Sequence, residues 1–256
     1  MSLSGTRQAG DSVVGSIDVL KDEVHLVPEF ASSLEMENKT HLNNVPLVSD
    51  LSHSILNDEQ KSAIQEVVNS NSEAFSSHEA DFGKTQLMEF VIELMPGAKP
   101  NHERPYPVPF HRREALTKII NNLLDTGRIA KSEASAFTSP VVLIEKKGSK
   151  DLRMCVDYRK LNAVTVKNNQ RLPTISDVSD VLGQKKYFTS LDLMSGYWQI
   201  AMEQKSAYLT TFVLPNYETY KFKVLPFGLS GAPSQFQRLM HTVLVDLIRQ
   251  QKAFCY

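Results

Sequence analysis

Two pairs of apolar segments, each joined by a short polar turn, restrict the fold of this chain more than any other feature. The first pair, residues 141–147 and 152–158, flanks the turn Gly-Ser-Lys-Asp, and the second pair, residues 209–214 and 220–225, flanks a turn near Pro215 and Asn216. Apolar and β-branched runs of this length around a turn predict β-hairpins. The fold must therefore contain a sheet with antiparallel pairs.

Helical periodicity occupies much of the remaining chain. Asn57 and Gln60 stand at capping-box spacing and predict a helix from residue 57, whose apolar positions are Ile64, Val67 and Val68. A second helix is predicted over residues 112–126, with Gly127 as the left-handed residue that ends it. Its predicted buried stripe is Leu116, Ile119, Ile120, Leu123 and Leu124.

Two further helices are predicted later in the chain. A short one covers residues 176–182 and ends at Gly183. A longer one opens at residues 230–233 with proline in its first turn, and its predicted buried stripe is Phe236, Met240, Val243, Leu244 and Leu247. Alternation over residues 88–94 indicates another strand. Hairpins with segregated helices predict an α+β fold and not a doubly wound sheet.

The chain divides into three regions by composition. Residues 1–50 are polar and contain Phe30 as their only aromatic residue, so we expect an acidic, disordered leader. Residues 51–98 are expected to be a connector that precedes the main folded region, residues 99–256. Prolines from 96 to 109 make the start of that region extended and irregular.

Bulk properties exclude several classes of protein. Of the residues 41% are hydrophobic and 22% are charged, and no apolar run approaches the length of a membrane span. The first residues lack the apolar core of a signal peptide. Cys155 and Cys255 match no metal-binding spacing, and the seven histidines are scattered. We expect an intracellular protein with reduced thiols and no membrane partner.

Charge is distributed unevenly along the sequence. Residues 1–100 hold 6 Lys and Arg against 16 Asp and Glu, a net of −10, and residues 101–256 hold 22 against 13, a net of +9. The two values sum to the overall net charge of −1. A basic region behind an acidic leader favours a polyanionic partner for the basic part, although a solvated basic face would look the same.

One carboxylate stands between two leucines, in Leu191-Asp192-Leu193, shortly before Ser195 and Gly196. The pattern is that of a buried strand that continues, extended, through residues 197–202. An isolated buried charge is costly, so this aspartate needs a partner. The two interpretations are a metal ligand, since carboxylates at strand ends often hold Mg²⁺, and an aspartate that caps a turn through its own backbone.

Cations concentrate on the first hairpin and immediately after it. Within fifteen residues stand Lys146, Lys147, Lys150, Arg153, Arg159 and Lys160. Alternate side chains of a hairpin share one face, so several of these cations can converge on a phosphate. The alternative is a hairpin whose charge only confers solubility.

Residues 225–233 form a glycine-containing turn that leads into the last helix, and such a turn can present backbone N–H groups to phosphate or to a base. It is not a Walker loop, because no Gly-Lys-Ser/Thr follows, and a plain turn with a helix cap explains it equally well.

Asp125-Thr126-Gly127 has the sequence of the aspartic-protease motif, but here it ends a helix instead of following a strand, so we reject that function.

Seven short motifs follow one another in a fixed order. They are Arg-Pro-Tyr at 104–106 and the segments 123–129, 138–144, 155–162, 191–197, 227–229 and 232–237. As a set, over about residues 55–256, they resemble the reverse transcriptase of gypsy-like long-terminal-repeat retrotransposons and related retroviral Pol proteins. The resemblance implies a right-hand polymerase, of which residues 99–256 form the fingers and an incomplete palm. It also implies two Mg²⁺ ions that drive in-line nucleotidyl transfer.

The resemblance assigns roles to single residues. Asp192 corresponds to the first of three metal-binding catalytic aspartates, and the Leu193 carbonyl also faces a metal. Lys146 and Arg153 correspond to the fingers cations that hold the triphosphate. Tyr197 corresponds to the bulky residue that rejects a 2′-OH.

Four further residues take roles from the same resemblance. Phe227 and Gly228 correspond to the turn that lines the nucleotide site. Arg159 and Pro226 correspond to positions at which the family contacts the template. Such contacts are made mostly to the nucleic-acid backbone, so binding should be salt-sensitive. The implied partners are an RNA or DNA template with primer, and dNTPs.

The sequence departs from the family's pattern at its end. The other two aspartates of the family lie in Tyr-x-Asp-Asp, and the chain stops at Tyr256, which matches the tyrosine. We therefore expect a truncated polymerase that binds Mg²⁺ weakly or not at all, is inactive alone, and exposes a sheet edge and the apolar face of the helix at 233–248. The alternative is a non-catalytic fragment that binds nucleic acid or a protein, in the cytoplasm or the nucleus.

Overall fold

The computed structural model of the chain describes residues 54, 56–76, 83–133, 135–145, 151–167, 189–250, 252, 253 and 255. The chain forms two compact units, residues 1–83 with 173–195 and residues 84–172 with 196–256. Four sequence predictions lie outside the described residues: the disordered leader at 1–50, the position of Lys146, the helix at 176–182 and the terminal Tyr256.

The first unit contains the predicted capped helix, α1 (Asp58–Ser70), followed by a 3₁₀ turn at Ser72–Ala74. The capping box is confirmed, because the Gln60 N–H donates to Asn57 Oδ1 at 2.8 Å and the Asn57 N–H donates to Gln60 Oε1 at 3.1 Å. Val68 is buried and Val67 is 63% exposed, so the apolar positions of the helix do not all face inward. Consecutive residues point about 100° apart on a helix, and the buried face follows residues 64 and 68.

The described residues of the second unit form a six-stranded mixed sheet, a separate two-stranded pair and four helices. Its strands are β1 (Glu89–Phe90), β2 (Asn101–His102), β3 (Ile129–Lys131), β4 (Phe137–Glu145), β5 (Leu152–Val156), β6 (Ala201–Met202), β7 (Phe212–Val213) and β8 (Thr219–Phe222). Its helices are α2 (Phe110–Asp125), α3 (Arg159–Val164), α4 (Gln204–Leu209) and α5 (Ala232–Arg249), with a 3₁₀ helix at Gly196–Gln199. This composition confirms the predicted α+β class.

Both predicted hairpins are present in the larger sheet, whose strand order is β2-β4-β7-β8-β3, with β5 added beside β4. Strand β4 pairs antiparallel with β5, from Val141 opposite Val156 to Glu145 opposite Leu152. Strands β7 and β8 pair antiparallel, with Phe212 opposite Tyr220. The first half of β4 also pairs in parallel with β2 and β7, which local hairpin signals do not predict. Strands β1 and β6 form a separate parallel pair.

Helix α2 and its end follow the sequence prediction closely. Leu116, Ile120 and Leu123 are buried, and the other two members of the stripe pack beside them. Gly127 has φ +68°, its N–H donates to the Leu124 carbonyl, and the Arg128 N–H donates to the Leu123 carbonyl, both at 2.9 Å. These two bonds form a Schellman motif, which gives the last carbonyls of the helix their donors.

Two apolar clusters hold the second unit together. One lies among α3, α5 and β6 and contains Tyr158, Leu161, Ile200 and Leu225, each no more than 1% exposed. The Tyr158 hydroxyl donates to the Thr210 carbonyl at 2.9 Å, and burial raises the pKa of Tyr158. The other cluster packs the α2 stripe against the large sheet around residues 212–222.

The segment around Asp192 corrects the sequence prediction. Residues 189–193 form no strand, and Leu191 and Leu193 are 64% and 42% exposed. Extended backbone needs a neighbouring strand to pair its N–H and C=O groups, and within the described parts of the chain none pairs with this segment. The predicted extension through 197–202 is wrong at its start, where Gly196–Gln199 forms a 3₁₀ helix, and is confirmed at its end, where β6 covers Ala201–Met202.

Helix α5 is buried only along its first half. Ala232, Ser234 and Leu239 are buried, and Phe236 packs against them, but Val243 and Leu247 are 53% and 44% exposed. The predicted buried stripe is therefore wrong in its second half, where the expected uncovered apolar face is found instead. Within the parts of the chain described above, no helix is both long and apolar enough to cross a bilayer.

The helix end at Gly127 gives the first testable prediction. An added Cβ would meet nothing within 4 Å, so Gly127→Ala carries only the strain of the left-handed backbone. We expect Gly127→Ala to lower the free energy of unfolding by about 1 kcal/mol, measured by urea denaturation. Gly127→Asn is the control, because asparagine tolerates this conformation and should cost less. An alanine variant as stable as the wild type would contradict this account.

Candidate nucleotide and nucleic-acid site

The first hairpin presents Arg153 to a ring on another part of the second unit. Arg153 lies in β5 opposite Ile144 and is exposed. Its guanidinium carbon lies 5.3 Å from the centroid of the Phe227 ring. A cation at this distance from an aromatic face is attracted by the ring's quadrupole. The interaction therefore orients Arg153 while leaving its charge accessible.

The turn that carries Phe227 is fixed from both sides. Before it, Leu225 and Pro226 are fully buried, and the Leu225 N–H donates to the Ile200 carbonyl at 2.9 Å. After it, the Asn162 side chain donates to the Gly228 carbonyl at 2.8 Å and accepts from the Ser230 N–H at 2.9 Å.

Gly228 has φ +95°, a conformation that L side chains rarely adopt. A glycine is therefore required here by the backbone and not by lack of space. The turn is held in one shape by its neighbours on both sides.

Tyr197 completes a small aromatic cluster. The 3₁₀ helix at Gly196–Gln199 places its ring 5.1 Å from Phe227 and 5.3 Å from Phe236, measured between centroids. Partial burial raises the pKa of the Tyr197 hydroxyl above its ordinary value. The structure thus brings together Arg153, Tyr197 and Phe227, three of the residues to which the family resemblance assigns a part in nucleotide binding.

Two residues beside this cluster were missed by sequence reasoning. Trp198 meets Phe227 edge to face with centroids 5.8 Å apart, and the Arg128 guanidinium lies 3.8 Å from the centre of the Trp198 ring. Arg128 is 1% exposed. The only sequence signal was a cation placed directly before a strand, and spacing along the chain does not connect it with Trp198.

Arg159 lies at the start of α3 and points into solvent, with 84% of its side chain exposed. Asp157 holds it from behind: Arg159 Nε donates to Oδ1 at 2.8 Å, and Nη2 donates to Oδ2 at 2.6 Å. The Tyr106 hydroxyl also donates to Oδ2, at 3.2 Å. Pro226, the other predicted template contact, is fully buried, so its side chain shapes the turn and does not form a surface.

Asp192 and Leu193 belong to the first unit. Asp192 is exposed, yet partial desolvation raises its pKa, and the Leu193 N–H opposes the shift with a hydrogen bond. Among the residues that the structure describes, no group of three or more His, Cys, Asp or Glu is placed to hold a metal ion. The described residues therefore bring no complete set of metal ligands together at Asp192.

A family model described as reverse transcriptase (RNA-dependent DNA polymerase) matches residues 144–256. The chain is also 31% identical over 88% of its length to the enzymatic polyprotein of figwort mosaic virus. It is 29% identical over 97% of its length to the Pol polyprotein of the Drosophila melanogaster transposon gypsy. It spans 36% and 24% of these two polyproteins.

The chain is also similar to a solved structure and to a shorter relative. The prototype foamy virus protease–reverse transcriptase aligns with 77% of this chain and 26% of its own, at TM-score 0.67 and 22% identity, which supports the polymerase fold. An RNA-directed DNA polymerase homologue of Oenothera berteroana is 44% identical over 38% of this chain, and the match covers 68% of that relative. Because this last match is close and covers most of the relative, the chain belongs to the reverse transcriptase family.

Proposed function

We propose that this chain forms part of the active site of an RNA-directed DNA polymerase within a retrotransposon Pol polyprotein. The observation that carries the proposal is the convergence of Arg153, Tyr197 and Phe227, because these groups can hold the charge, the sugar and the base of one nucleotide. The geometry alone would fit any nucleotide site, and the family supplies the polymerase reaction.

Each group has a distinct task in the proposed site. Arg153 binds the triphosphate of the incoming dNTP, since a guanidinium matches phosphate oxygens in shape and charge. Phe227 and the Gly228 backbone form the wall of the pocket. Tyr197 lies under the sugar and excludes a 2′-OH by its bulk. Lys146, outside the described residues, is proposed as the second cation of the triphosphate site.

A divalent cation, Mg²⁺, is proposed to supply charge neutralisation and activation of the primer hydroxyl. Asp192 and the Leu193 carbonyl offer the oxygen ligands that Mg²⁺ prefers, and a cation would offset the desolvation of the carboxylate. They account for only part of a two-metal site.

Template and primer are proposed to lie along the basic region, with Arg159 on the phosphate backbone. Two solved structures of the foamy viral protease–reverse transcriptase hold double-stranded DNA and an RNA/DNA hybrid, and they suggest these duplexes as probes. A gypsy-like element inside the cell, in cytoplasm or nucleus, is the proposed source. The chain is 31% identical to the figwort mosaic virus polyprotein and 29% identical to the gypsy Pol polyprotein, so descent from a gypsy-like element is itself part of the proposal.

The experiment that tests the nucleotide site is direct binding to this chain. We expect a fluorescent mant-dNTP to bind the wild type, and Arg153→Met to weaken binding about tenfold because one charge-assisted contact is lost. Fluorescence anisotropy measures both affinities. Lys118→Met is the matched control, since Lys118 pairs with Glu114 on the exposed face of α2. Equal affinities of wild type and Arg153→Met, or no wild-type binding, would refute this nucleotide site.

The template contact makes a separate prediction about salt dependence. If Arg159 neutralises one phosphate, then Arg159→Gln should reduce the slope of log K against log salt by about 0.9 for a DNA duplex. Titrations of a primer–template from low to moderate salt provide the slopes. Lys118→Gln removes an equal charge away from the proposed site and should leave the slope unchanged. A slope that is the same for Arg159→Gln and wild type would place the duplex elsewhere.

The Asp157–Arg159 pair also predicts a pH dependence. Hydrogen bonds from Arg159 lower the pKa of Asp157 from its ordinary 3.8 to about 2. A carboxylate whose folded pKa is lowered contributes stability above its unfolded pKa, and that contribution is lost as pH falls through about 2. We expect carbon-detected NMR titration of Asp157 to give a midpoint near 2 in the wild type.

The matched variant for this titration is Arg159→Met, which removes the donors and the charge together. Its Asp157 midpoint should rise towards the ordinary value of 3.8. Lys160→Met is the control, because Lys160 pairs with Glu103 instead. A wild-type midpoint that already lies near the ordinary value would show that the pair does not persist in solution.

A further inference from the structure

We propose that buried Arg128 is a positioning residue for the nucleotide site, acting through Trp198 to hold the ring of Phe227 in place. The assignment of the site to a nucleotide rests on the proposed function. The mechanical part, in which Arg128 fixes Trp198 and Trp198 fixes Phe227, stands on the geometry alone.

Arg128 has an anchored backbone. Its N–H donates to the Leu123 carbonyl at 2.9 Å at the end of α2, and its carbonyl accepts from the Lys223 N–H at 2.8 Å beside β8. The side chain is 1% exposed. Burying a guanidinium is costly, and an apolar side chain of similar length would often be at least as stable there. A buried arginine at this position therefore calls for a reason beyond packing.

The Arg128 guanidinium lies over the Trp198 ring, and the Trp198 ring contacts the Phe227 ring. It lies 3.8 Å from the centre of the Trp198 ring, the shorter of the two arginine–aromatic distances in this cluster. Trp198 sits on the 3₁₀ helix, which is anchored where the Gln199 carbonyl accepts from the Thr85 N–H at 2.9 Å. Its indole meets Phe227 at an interplanar angle of 66°.

The result is an ordered row of four groups: Arg128, Trp198, Phe227 and Arg153. A buried cation holds one end of the row, and an exposed cation, the proposed triphosphate ligand, rests on the other end. A shift of Trp198 moves the ring against which Arg153 is oriented. Small displacements of binding groups cost large factors in affinity and rate, so a group remote from the ligand can tune the site.

The chain contains a matched control for this arrangement. Lys221 lies 3.3 Å from the centre of the Tyr208 ring, a cation–π pair in the same unit that involves neither Trp198 nor Phe227. Lys221→Met therefore removes a cation from an aromatic face without touching the row. Arg128→Met makes the corresponding change inside it.

The first test is a double-mutant cycle on mant-dNTP binding, measured by anisotropy. We expect Arg128→Met and Phe227→Leu each to weaken binding about five- to tenfold, and Lys221→Met to leave it within about twofold. Because Arg128 acts through Phe227, Arg128→Met should have almost no further effect in the Phe227→Leu background. Additive losses, or an unchanged affinity in folded Arg128→Met, would overturn the proposal.

A second measurement needs no nucleotide and separates the positioning role of Arg128 from the proposed nucleotide site. With 4-fluorophenylalanine at position 227, the ¹⁹F resonance should shift or broaden in Arg128→Met and stay unchanged in Lys221→Met. A shift without nucleotide binding by the wild type would refute the proposed function and leave the positioning role supported. An unmoved resonance would overturn the positioning role whatever the nucleotide result.

Thermal unfolding shows whether Arg128→Met folds. If it does not fold, the same ¹⁹F resonance is measured in a second variant. Arg128→Lys then takes its place, because lysine keeps the charge but cannot stack a planar group on the indole. A shifted resonance and weaker mant-dNTP binding in Arg128→Lys support the proposal, and wild-type values in both measurements refute it.

Discussion

Strand β4 changes partners along its length, and the candidate site depends on that change. Its first residues pair with β2 and β7, and its last five pair with β5. Pro140, which has no N–H to donate, stands where the change occurs, and its carbonyl accepts from the Asp157 N–H at 2.9 Å. One strand thus joins the packed sheet to the hairpin that carries Arg153. The hydrogen bond from Asp157 to Pro140 also fixes the start of the segment that carries Arg159.

The two exposed arginines of the site are oriented in different ways. Arg153 rests on the face of Phe227, which guides the guanidinium without neutralising it. Arg159 is held by Asp157, whose charge cancels much of the attraction for a distant phosphate. The first arrangement favours affinity for a strongly charged ligand such as a triphosphate. The second favours a defined direction of contact, which suits a backbone that must be held in register and yet released.

Local signals were predicted well, and contacts between distant segments were not. The capping box of α1, the end of α2 at Gly127 and the presence of both hairpins depend on residues close together in the chain, so the sequence predicts them. Leu191-Asp192-Leu193 has the alternation of a strand, but alternation cannot supply a pairing partner, and the segment is irregular and exposed. The meeting of Arg153 with Phe227 was expected only through family resemblance, and the Arg128–Trp198 stack was not expected at all.

The protonation state of Tyr197 fits the charge that a nucleotide site requires. A phenolate beside a triphosphate would repel it, but an ordinary tyrosine is already neutral at physiological pH, and burial raises the pKa of Tyr197 further. The same aromatic surroundings give Arg153 a ring face on which to rest. Because the rings carry no net charge, the cation determines the electrostatics at this edge. One aromatic cluster therefore shapes the pocket and directs the charge that is proposed to bind phosphate.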